Sequence, residues 1–346
     1  MGKTLIDILE GVAPQAIRGD ATVNIQAVRF DSRAVQPGDL FVAVRGVAAD
    51  GHLFIQKAIE NGAAAVVCES LPENTPQPSS LILVKDSAEA LGQIAANFFG
   101  NPSRQLTLVG VTGTNGKTTT ATLLYQLFMA LGYKTGLIGT VENRIGSAVV
   151  PATHTTPDPV VLNQLLADMV AAGCSHVFME VSSHAVAQRR IAGLHFAGGV
   201  FTNLSHDHLD YHKTFAAYRD AKKRFFDDLP RSAFALTNAD DKNGMVMLQN
   251  TAARKLTYAL KHAANYKAKI IENSLTGLQL LLDGTEIHAR LIGEFNALNL
   301  AAAYGVAIEL GIPKMDALTA LSNLPGAEGR FDYVTHPTKG CIGIVD

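Results

Sequence analysis

A glycine-rich stretch from Gly110 to Thr120 contains the residues best suited to chemistry. It reads GVTGTNGKTTT and follows the short apolar run 106–109. An apolar strand, a glycine-rich turn and a polar helix start are together typical of a phosphate-binding loop. The backbone N–H groups of such a loop can surround a polyphosphate, while Lys117 neutralises its charge and Thr118 offers a hydroxyl to Mg²⁺. The stretch therefore predicts a binding site for a nucleoside triphosphate.

One position departs from the strict pattern of this loop, G-x-x-x-x-G-K-[ST]. The pattern requires its first glycine where Val111 stands, although Gly110 and Gly113 flank that position. The alternative is a glycine-rich turn that carries a surface lysine. Because strand, loop and helix follow one another in the right order, phosphate binding is favoured. The residues expected at the phosphates are Gly113, Thr114, Asn115, Gly116, Lys117, Thr118 and Thr119.

Two more polar clusters stand at the ends of apolar runs that are expected to be strands, 175–183 and 198–205. Ligands of parallel α/β sheets bind beyond the carboxyl ends of the strands. In the first cluster, Glu180 could bind Mg²⁺ directly or through water. The second cluster has histidines and aspartates in close succession, namely His206, Asp207, His208, Asp210 and His212.

The composition of this second cluster suggests a metal, but its spacing does not suggest zinc. On an extended chain the side chains alternate between two sides, and the cluster lacks the i, i+4 histidine pair of helical zinc sites. We therefore expect a Mg²⁺ or substrate role for one histidine rather than a dedicated zinc site. The remaining histidines are expected to be structural.

Two later segments each have two interpretations. Residues 218–226 have the pattern of an amphipathic helix with Lys222 near its centre, and spacing alone favours a solvated basic face. Asn296 and Asn299 stand three residues apart at an expected helix start. That spacing suits either helix capping or contact with the edge of an adenine.

The composition is that of an ordinary soluble enzyme. The 346 residues are 47% hydrophobic and 17% charged, with a net charge of −2, and the length suffices for two or three domains. Without a basic stripe, nucleic acid is not an expected partner, and no apolar run approaches a membrane span. Cys68, Cys174 and Cys341 are far apart, which predicts buried free thiols in a cytoplasmic protein.

The order of elements predicts an α/β fold with a small domain before a larger one. Residues 1–103 have short apolar strands around a helix and end at an Asn-Pro-Ser turn. Residues 104–330 alternate strands with helices, which predicts a P-loop-type, mostly parallel sheet with helices on both faces. The chain stops within an apparent strand, so we expect residues 331–346 to begin a further segment.

The motifs resemble those of the Mur ligases. The sequences GTNGKTT, EVSSH from Glu180, NLSHDHLD from Asn203 and NxxN from Asn296 occur in the order and spacing of that family. Near the start, FDSR, PGDLFV and DGH resemble the UDP-binding domain shared by the MurE and MurF types. The segment 179–190 and the Asp-Tyr-His of 210–212 favour the MurE type over MurF and over folylpolyglutamate synthetase.

The resemblance implies an ATP-dependent amide ligase of peptidoglycan synthesis, whose substrate is UDP-N-acetylmuramoyl-L-alanyl-D-glutamate. Such ligases transfer the γ-phosphate of ATP to a carboxylate, and an amine then attacks the acyl phosphate. Catalytic roles would fall to Lys117, Lys222 and His208. Mg²⁺ would be held by Thr118, Glu180, His208 and Lys222, the lysine as a carbamate. The role that the resemblance implies for Lys222 replaces the interpretation from spacing alone, in which helix 218–226 has a solvated basic face.

The same resemblance implies further binding residues. Asn296, Asn299 and Arg330 would serve the nucleotide, with Arg330 at the hinge to a third domain. The residues implied for the uridine part of the substrate are Phe30, Ser32, Val47, Ala48 and Ala49. Those implied for its muramyl peptide are Thr155, Thr156, Ser182, Gln188 and Arg190.

The third domain of this family supplies the amino-acid pocket, so residues 1–346 alone are expected to lack ligase activity. The chain is also expected to be a monomer. The sequence does not choose between meso-diaminopimelate and L-lysine. The alternatives are a MurF-type sibling, a noncatalytic module that binds a UDP-sugar and a nucleotide, or a P-loop hydrolase or motor.

Overall fold

The computed structural model describes residues 2–46, 49–71, 78–207, 209–275, 277–324, 332–335 and 342–345. Its described part divides into two compact units. The first consists of residues 1–105, 157–168 and 187–194, and the second of residues 106–156, 169–186 and 195–346. None of the helices in the described ranges combines the length and apolar character that a membrane crossing requires.

The first unit is a small α/β sandwich. Its strands are β1 (Lys3–Thr4), β2 (Ala16–Gly19), β3 (Asn24–Ile25), β4 (Val28–Arg29), β5 (Leu40–Val42), β6 (Ala65–Cys68) and β7 (Ser80–Leu83). Its helices are α1 (Leu5–Ile8), α2 (Ile55–Glu60) and α3 (Ser87–Phe98), with 3₁₀ turns at Ser32–Ala34, Gly51–Phe54 and Pro102–Arg104. Five strands form one sheet in the order β2-β7-β6-β5-β4, and only β2 runs antiparallel to its neighbour.

Successive side chains of this sheet enter two different cores, as the period of two in a strand requires. Val42 and Val67 belong to one apolar cluster with Leu91 of α3. Phe41 and Val66 belong to the other cluster, with residues of α2. Both faces are therefore covered, which explains the continuous apolar runs of β5 and β6.

The second unit is built on one large sheet. Its strands are β8 (Thr107–Thr112), β9 (Thr135–Ile138), β10 (Glu142–Ile145), β11 (Ala148–Pro151), β12 (His176–Glu180), β13 (Gly198–Phe201), β14 (Phe234–Asn238), β15 (Arg254–Ala259), β16 (Tyr266–Ser274), β17 (Gly277–Leu282) and β18 (Thr285–Ala289). The strands β19 (Asp332–Thr335) and β20 (Ile342–Val345) form a separate antiparallel pair.

The remaining helices follow these strands. They are α4 (Lys117–Ala130), α5 (Pro159–Ala171), α6 (Ser183–Ala187), α7 (Leu209–His212), α8 (Phe215–Asp227), α9 (Gly244–Met247), α10 (Glu294–Glu309) and α11 (Lys314–Asn323). Residues 159–168 of α5 belong to the first unit. The sheet order is β11-β10-β9-β12-β8-β13-β14-β15-β16-β17-β18. The seven strands from β9 to β16 in this order are parallel, and the two hairpins at the edges are antiparallel. This is the mostly parallel α/β sheet that the sequence predicts.

Helix α4 is more deeply buried than its sequence pattern suggests. Its sequence places Ala121, Leu124, Phe128 and Leu131 along one helical stripe, and Leu124 and Phe128 are fully buried. Leu123 and Leu127 are fully buried as well, because α4 packs against β12, α10 and α11. The buried surface of α4 therefore extends beyond that stripe.

The predicted conformation of the second polar cluster is wrong in part. Its residues were expected on an extended chain, but Leu209–His212 form the short helix α7. A helix places the side chains of consecutive residues about a quarter turn apart rather than on opposite sides.

Cys68 and Cys174 are buried free thiols as predicted, and burial raises the pKa of Cys68 to about 11. Cys341 lies outside the described residues.

Candidate functional site

The predicted phosphate loop connects β8 to α4 and needs glycine at two positions. Gly113 has φ +153°, and a Cβ atom there would lie 1.9 Å from Thr202 Oγ1. Gly116 has φ +82° and precedes α4, where a Cβ atom would lie 2.7 Å from Asn299 Oδ1. Val111 belongs to the buried strand β8, so the strict pattern's first glycine is not required there.

The chain after β13 holds this loop in place. Asn203 accepts from the Thr114 N–H through its carbonyl oxygen at 2.8 Å and from the Asn115 N–H through Oδ1 at 3.0 Å. Thr202 Oγ1 donates to the Asn115 carbonyl at 2.6 Å. The loop is therefore held by the residues that follow β13, the strand next to β8 in the sheet. The local sequence of the loop does not predict these contacts.

Two lysines meet at one carbonyl oxygen of the loop. Lys117 Nζ donates to Gly113 O at 3.0 Å and to Thr114 O at 2.9 Å. Lys222 Nζ, from α8, donates to the same Gly113 oxygen at 2.8 Å. The structure thus brings together two lysines that the sequence separates by about a hundred residues.

Lys222 is buried, with 1% of its surface exposed. Its Nζ lies 4.8 Å from the centre of the Tyr218 ring. Burial holds the pKa of Lys222 well below its usual 10.5; the charge of Lys117 lowers that pKa further, and Asp207 opposes the shift. The basic face expected from spacing alone is therefore wrong for this residue, which stands as a buried amine with a depressed pKa.

Glu180 at the end of β12 is also buried and is surrounded by donors. Thr118 Oγ1 donates to Glu180 Oε2 at 3.0 Å. Thr140, which follows β9, donates to Oε1 through its N–H at 2.8 Å and to Oε2 through its hydroxyl at 3.1 Å. Thr140 was not among the predicted site residues, because a single threonine after a strand gives no signal of its own.

The pair of Thr118 and Glu180 fits Mg²⁺. Within the described residues, no group of three or more His, Cys, Asp and Glu side chains is arranged to hold a metal ion. Mg²⁺ uses few protein ligands, all oxygen, alongside phosphate oxygens and water. A threonine hydroxyl within 3.0 Å of a buried carboxylate, directly beside the phosphate loop, supplies such ligands.

The histidine cluster is described in part. His208, expected at the metal, lies outside the described residues. His212 is buried; its Nε2 lies 3.0 Å from Ser183 Oγ, and its ring packs 5.3 Å from that of Tyr218. The Tyr218 hydroxyl in turn lies 3.1 Å from Thr114 Oγ1 in the phosphate loop. Tyr218 therefore links His212 to the phosphate loop.

The two asparagines expected at the adenine are buried in α10. Asn296 Nδ2 donates to Ile292 O at 2.8 Å, and Asn299 Nδ2 donates to Asn296 Oδ1 at 3.0 Å. Asn299 Oδ1 accepts from Thr120 of α4 at 3.3 Å. These bonds tie α10 to the helix that carries the phosphate loop, and contact with adenine stays a prediction. Arg330 lies outside the described residues.

Three residues expected at the muramyl peptide surround the end of β12. Thr156 Oγ1 donates to Glu180 O at 2.8 Å and accepts from the Ser182 N–H at 3.2 Å. The hydroxyls of Thr155 and Thr140 are 3.0 Å apart. Thr155 and Thr156 are thus linked to the Glu180 environment within the second unit.

The other residues expected at the UDP substrate belong to the first unit. Ser32 is buried at the start of a 3₁₀ turn that Asp31 caps, whereas Phe30 and Ala49 are exposed. Val47 and Ala48 lie outside the described residues. In a separate segment, Arg190 donates to Gln188 Oε1 through Nε at 3.0 Å and through its terminal nitrogen at 2.7 Å.

A glycine loop of this geometry, between a buried parallel strand and a helix, defines a nucleotide-binding α/β protein of P-loop type. Comparison of the sequence with models of protein families identifies the family within this class. The family model of the Mur ligase middle domain matches residues 111–307, and that of the Mur ligase family catalytic domain matches residues 24–99. The chain belongs to the Mur ligase family.

Individual relatives agree with this assignment. The UDP-N-acetylmuramoyl-L-alanyl-D-glutamate--2,6-diaminopimelate ligase of Cytophaga hutchinsonii is 57% identical, over 98% of this chain and 70% of that protein. A solved structure of a ligase with the same name has a TM-score of 0.82 at 27% identity, over 97% of this chain and 69% of that one. A MurF ligase from Thermotoga maritima in complex with ADP shares the fold, with a TM-score of 0.60 at 24% identity, over 91% and 69%.

Proposed function

We propose that this Mur ligase is of the MurE type. It uses ATP to join the third amino acid of the peptidoglycan precursor to UDP-N-acetylmuramoyl-L-alanyl-D-glutamate. The relatives' names support 2,6-diaminopimelate as that amino acid. The observation that carries the proposal is the buried amine of Lys222, bonded at 2.8 Å to the phosphate loop. A protein that only binds nucleotides has no use for such an amine.

The reaction proceeds in two transfers. A carboxylate oxygen of the UDP substrate attacks the γ-phosphorus of ATP, the bond to the bridging β,γ-oxygen breaks, and ADP leaves. The amine then attacks the acyl carbon, loses a proton, and phosphate leaves. Alignment and charge neutralisation dominate such phosphoryl transfers. We assign ATP to residues 104–330 and the uridine part of the substrate to residues 1–103.

Different residues of this chain would bind the phosphates, neutralise their charge and hold Mg²⁺. The N–H groups of residues 113–119 bind the phosphates, and Lys117 neutralises the negative charge that collects on them. Thr118 and Glu180 would hold Mg²⁺, with His208 and Lys222 in the same role. Bound Mg²⁺ would neutralise charge on the transferred phosphoryl group.

Lys222 can serve the metal only after a chemical change, since an ammonium repels a cation. A neutral lysine amine attacks the carbon of CO₂, forms an N–C bond and releases one proton, which leaves a carbamate anion. The depressed pKa of Lys222 favours the neutral amine that this addition requires. The buried position of the amine supports carbamylation at this residue.

The test is a product assay on residues 1–346 and on any longer form that the gene encodes. It supplies ATP, Mg²⁺ and the UDP-muramoyl dipeptide with either 2,6-diaminopimelate or L-lysine. We expect a diaminopimelate product with an equal amount of ADP from the gene's full product. A lysine product would overturn the choice of amino acid. ATP turnover without the dipeptide would identify a hydrolase, and binding of both ligands without any turnover would identify a noncatalytic module.

A further inference from the structure

Arg189 has a backbone conformation that is unusual for its residue type. Its φ is +57°, in the left-handed region that long side chains rarely adopt. It lies between Gln188 and Arg190, two of the residues expected at the muramyl peptide. Strained residues of this kind persist where the surrounding structure holds them, and they cluster at functional sites.

The side chain of Arg189 is held by two carboxylates at the start of α3. Its Nε lies 3.4 Å from Asp86 Oδ2, and a terminal nitrogen lies 3.4 Å from Glu89 Oε2. Asp86 is itself fixed, since its Oδ1 caps α3 by accepting from the Glu89 N–H at 2.9 Å. About a fifth of the Arg189 side chain is exposed, so these ion pairs are partly shielded from solvent.

The backbone around Arg189 also packs tightly against α3. A Cβ atom on Gly92 would lie 2.5 Å from the Ala192 carbonyl oxygen. Gly193 has φ +77°, and a Cβ atom there would lie 2.9 Å from the Cα of Gln93. The short segment 187–194 is therefore fixed to α3 both by charge and by close backbone contact.

We propose that Arg189 is a positioning residue for substrate binding. Its left-handed conformation and its ion pairs with α3 set the direction in which Gln188 and Arg190 leave the backbone. Arg190 already directs two N–H groups at Gln188 Oε1, at 3.0 and 2.7 Å, so its guanidinium is oriented before an anionic group arrives. This inference rests on the proposed function, in which these two residues contact the UDP-muramoyl dipeptide.

The experiment compares the affinities for two ligands by calorimetry, the UDP-muramoyl dipeptide and ATP. Arg189→Asn is the main variant, because asparagine tolerates positive φ but cannot reach both carboxylates. We expect it to weaken dipeptide binding about tenfold and to leave ATP binding unchanged. Arg189→Lys, which keeps the charge, restores part of the loss. The pair Asp86→Asn with Glu89→Gln reproduces the loss with Arg189 intact.

Two further variants separate the possible failures. Arg104→Asn, an exposed arginine of the same unit, should change neither affinity. Arg190→Ala tests the substrate contact itself. If Arg190→Ala weakens dipeptide binding but Arg189→Asn does not, the positioning role is wrong and the proposed function stands. If Arg190→Ala has no effect, the substrate contact is wrong, and the role of Arg189 with it. Equal losses for both ligands, with a lower melting temperature, would show a purely structural role.

Discussion

Lys117 and Lys222 donate to the same backbone oxygen, the carbonyl of Gly113, at 3.0 and 2.8 Å. Two ammonium groups at one oxygen repel each other, and the charge of Lys117 contributes to the depressed pKa of Lys222. Burial of Lys222 is the larger cause of that shift. The depressed pKa favours the neutral form of Lys222, beside Lys117, the cation proposed for the phosphates.

The first prediction concerns the cation. Lys117→Ala should lower the affinity for ATP about tenfold or more, because a charged hydrogen bond to the phosphates is lost. The fold should stay intact. Nucleotide titration measures the affinity, and the exposed Lys134→Ala of the same unit is the control. An unchanged ATP affinity in Lys117→Ala would remove Lys117 from the phosphate site.

The second prediction concerns the neutral amine. In bicarbonate buffer near neutral pH, Lys222 should be carbamylated at least in part, whereas the neighbouring Lys223, which is paired with Asp227 at 2.7 Å, should not. The ¹³C NMR spectrum of the protein in ¹³C-bicarbonate should show one carbamate signal. That signal should be absent from Lys222→Met. A carbamate signal that persists in this variant would place the modification elsewhere.

The third prediction follows from the cost of burying Lys222. The pKa of Lys222 is depressed in the folded state and has its ordinary value of 10.5 in the unfolded chain. Between these two values the unfolded chain binds one more proton than the folded chain. Linkage then makes the free energy of unfolding rise with pH, by at most about 1.4 kcal/mol per pH unit, until the unfolded amine also loses its proton.

Lys222→Met removes this dependence, so it should raise the melting temperature at neutral pH and flatten its increase toward alkaline pH. Melting curves in CO₂-free buffer test both effects. Lys223→Met is the matched control on α8, where loss of an ion pair should destabilise the protein by less than about 1 kcal/mol. If Lys222→Met melts at a lower temperature than the parent at neutral pH, the buried amine stabilises the fold, contrary to this prediction.

The phosphate loop could be predicted from sequence because its signals are local. Glycines, a lysine and a preceding apolar run lie within fifteen residues, and the structure places them as expected. The environment of Lys222 could not be predicted in this way. Helix α8 was predicted, but its central lysine is buried and donates to the carbonyl of Gly113, 109 residues away in sequence.

Other features of the site also depend on long-range packing. The histidine cluster has a clear composition, yet its local conformation changes from the expected extended chain to the helix α7. Thr140 has no motif, and only the meeting of the ends of β9 and β12 brings it to Glu180. Sequence patterns thus identify which residues of the site can do chemistry. They do not predict which residues from distant parts of the chain contact them.

The fourth prediction tests the contact of Thr140 with Glu180. Thr140→Val removes the hydroxyl that donates at 3.1 Å but keeps the N–H that donates at 2.8 Å. We expect a loss of about 0.5–1.5 kcal/mol in the part of ATP binding that depends on Mg²⁺. Thr140→Ser should bind like the parent. The measurement is ATP affinity with and without Mg²⁺, and an equal loss under both conditions would exclude a role through Glu180.

The fifth prediction assigns the uridine part of the substrate to the first unit. Phe30 is 41% exposed and Ser32 is buried two residues later, at the start of the 3₁₀ turn. An exposed aromatic ring beside a hydroxyl offers a flat base both a stacking surface and a hydrogen bond. A single hydroxyl contributes only about 0.5–1.5 kcal/mol, so both residues must be changed for a clear effect.

The double variant Phe30→Ala with Ser32→Ala should therefore weaken binding of the UDP-muramoyl dipeptide and leave ATP binding unchanged. Phe54→Ala is the matched control, since Phe54 is 43% exposed in the same unit and has no assigned ligand. Free UDP should compete with the dipeptide on the parent chain and lose that ability on the double variant, because the contacts assigned to these residues are to the nucleotide. If dipeptide binding falls while competition by UDP persists, Phe30 and Ser32 do not contact the uridine, and the assignment of residues 1–103 must be revised.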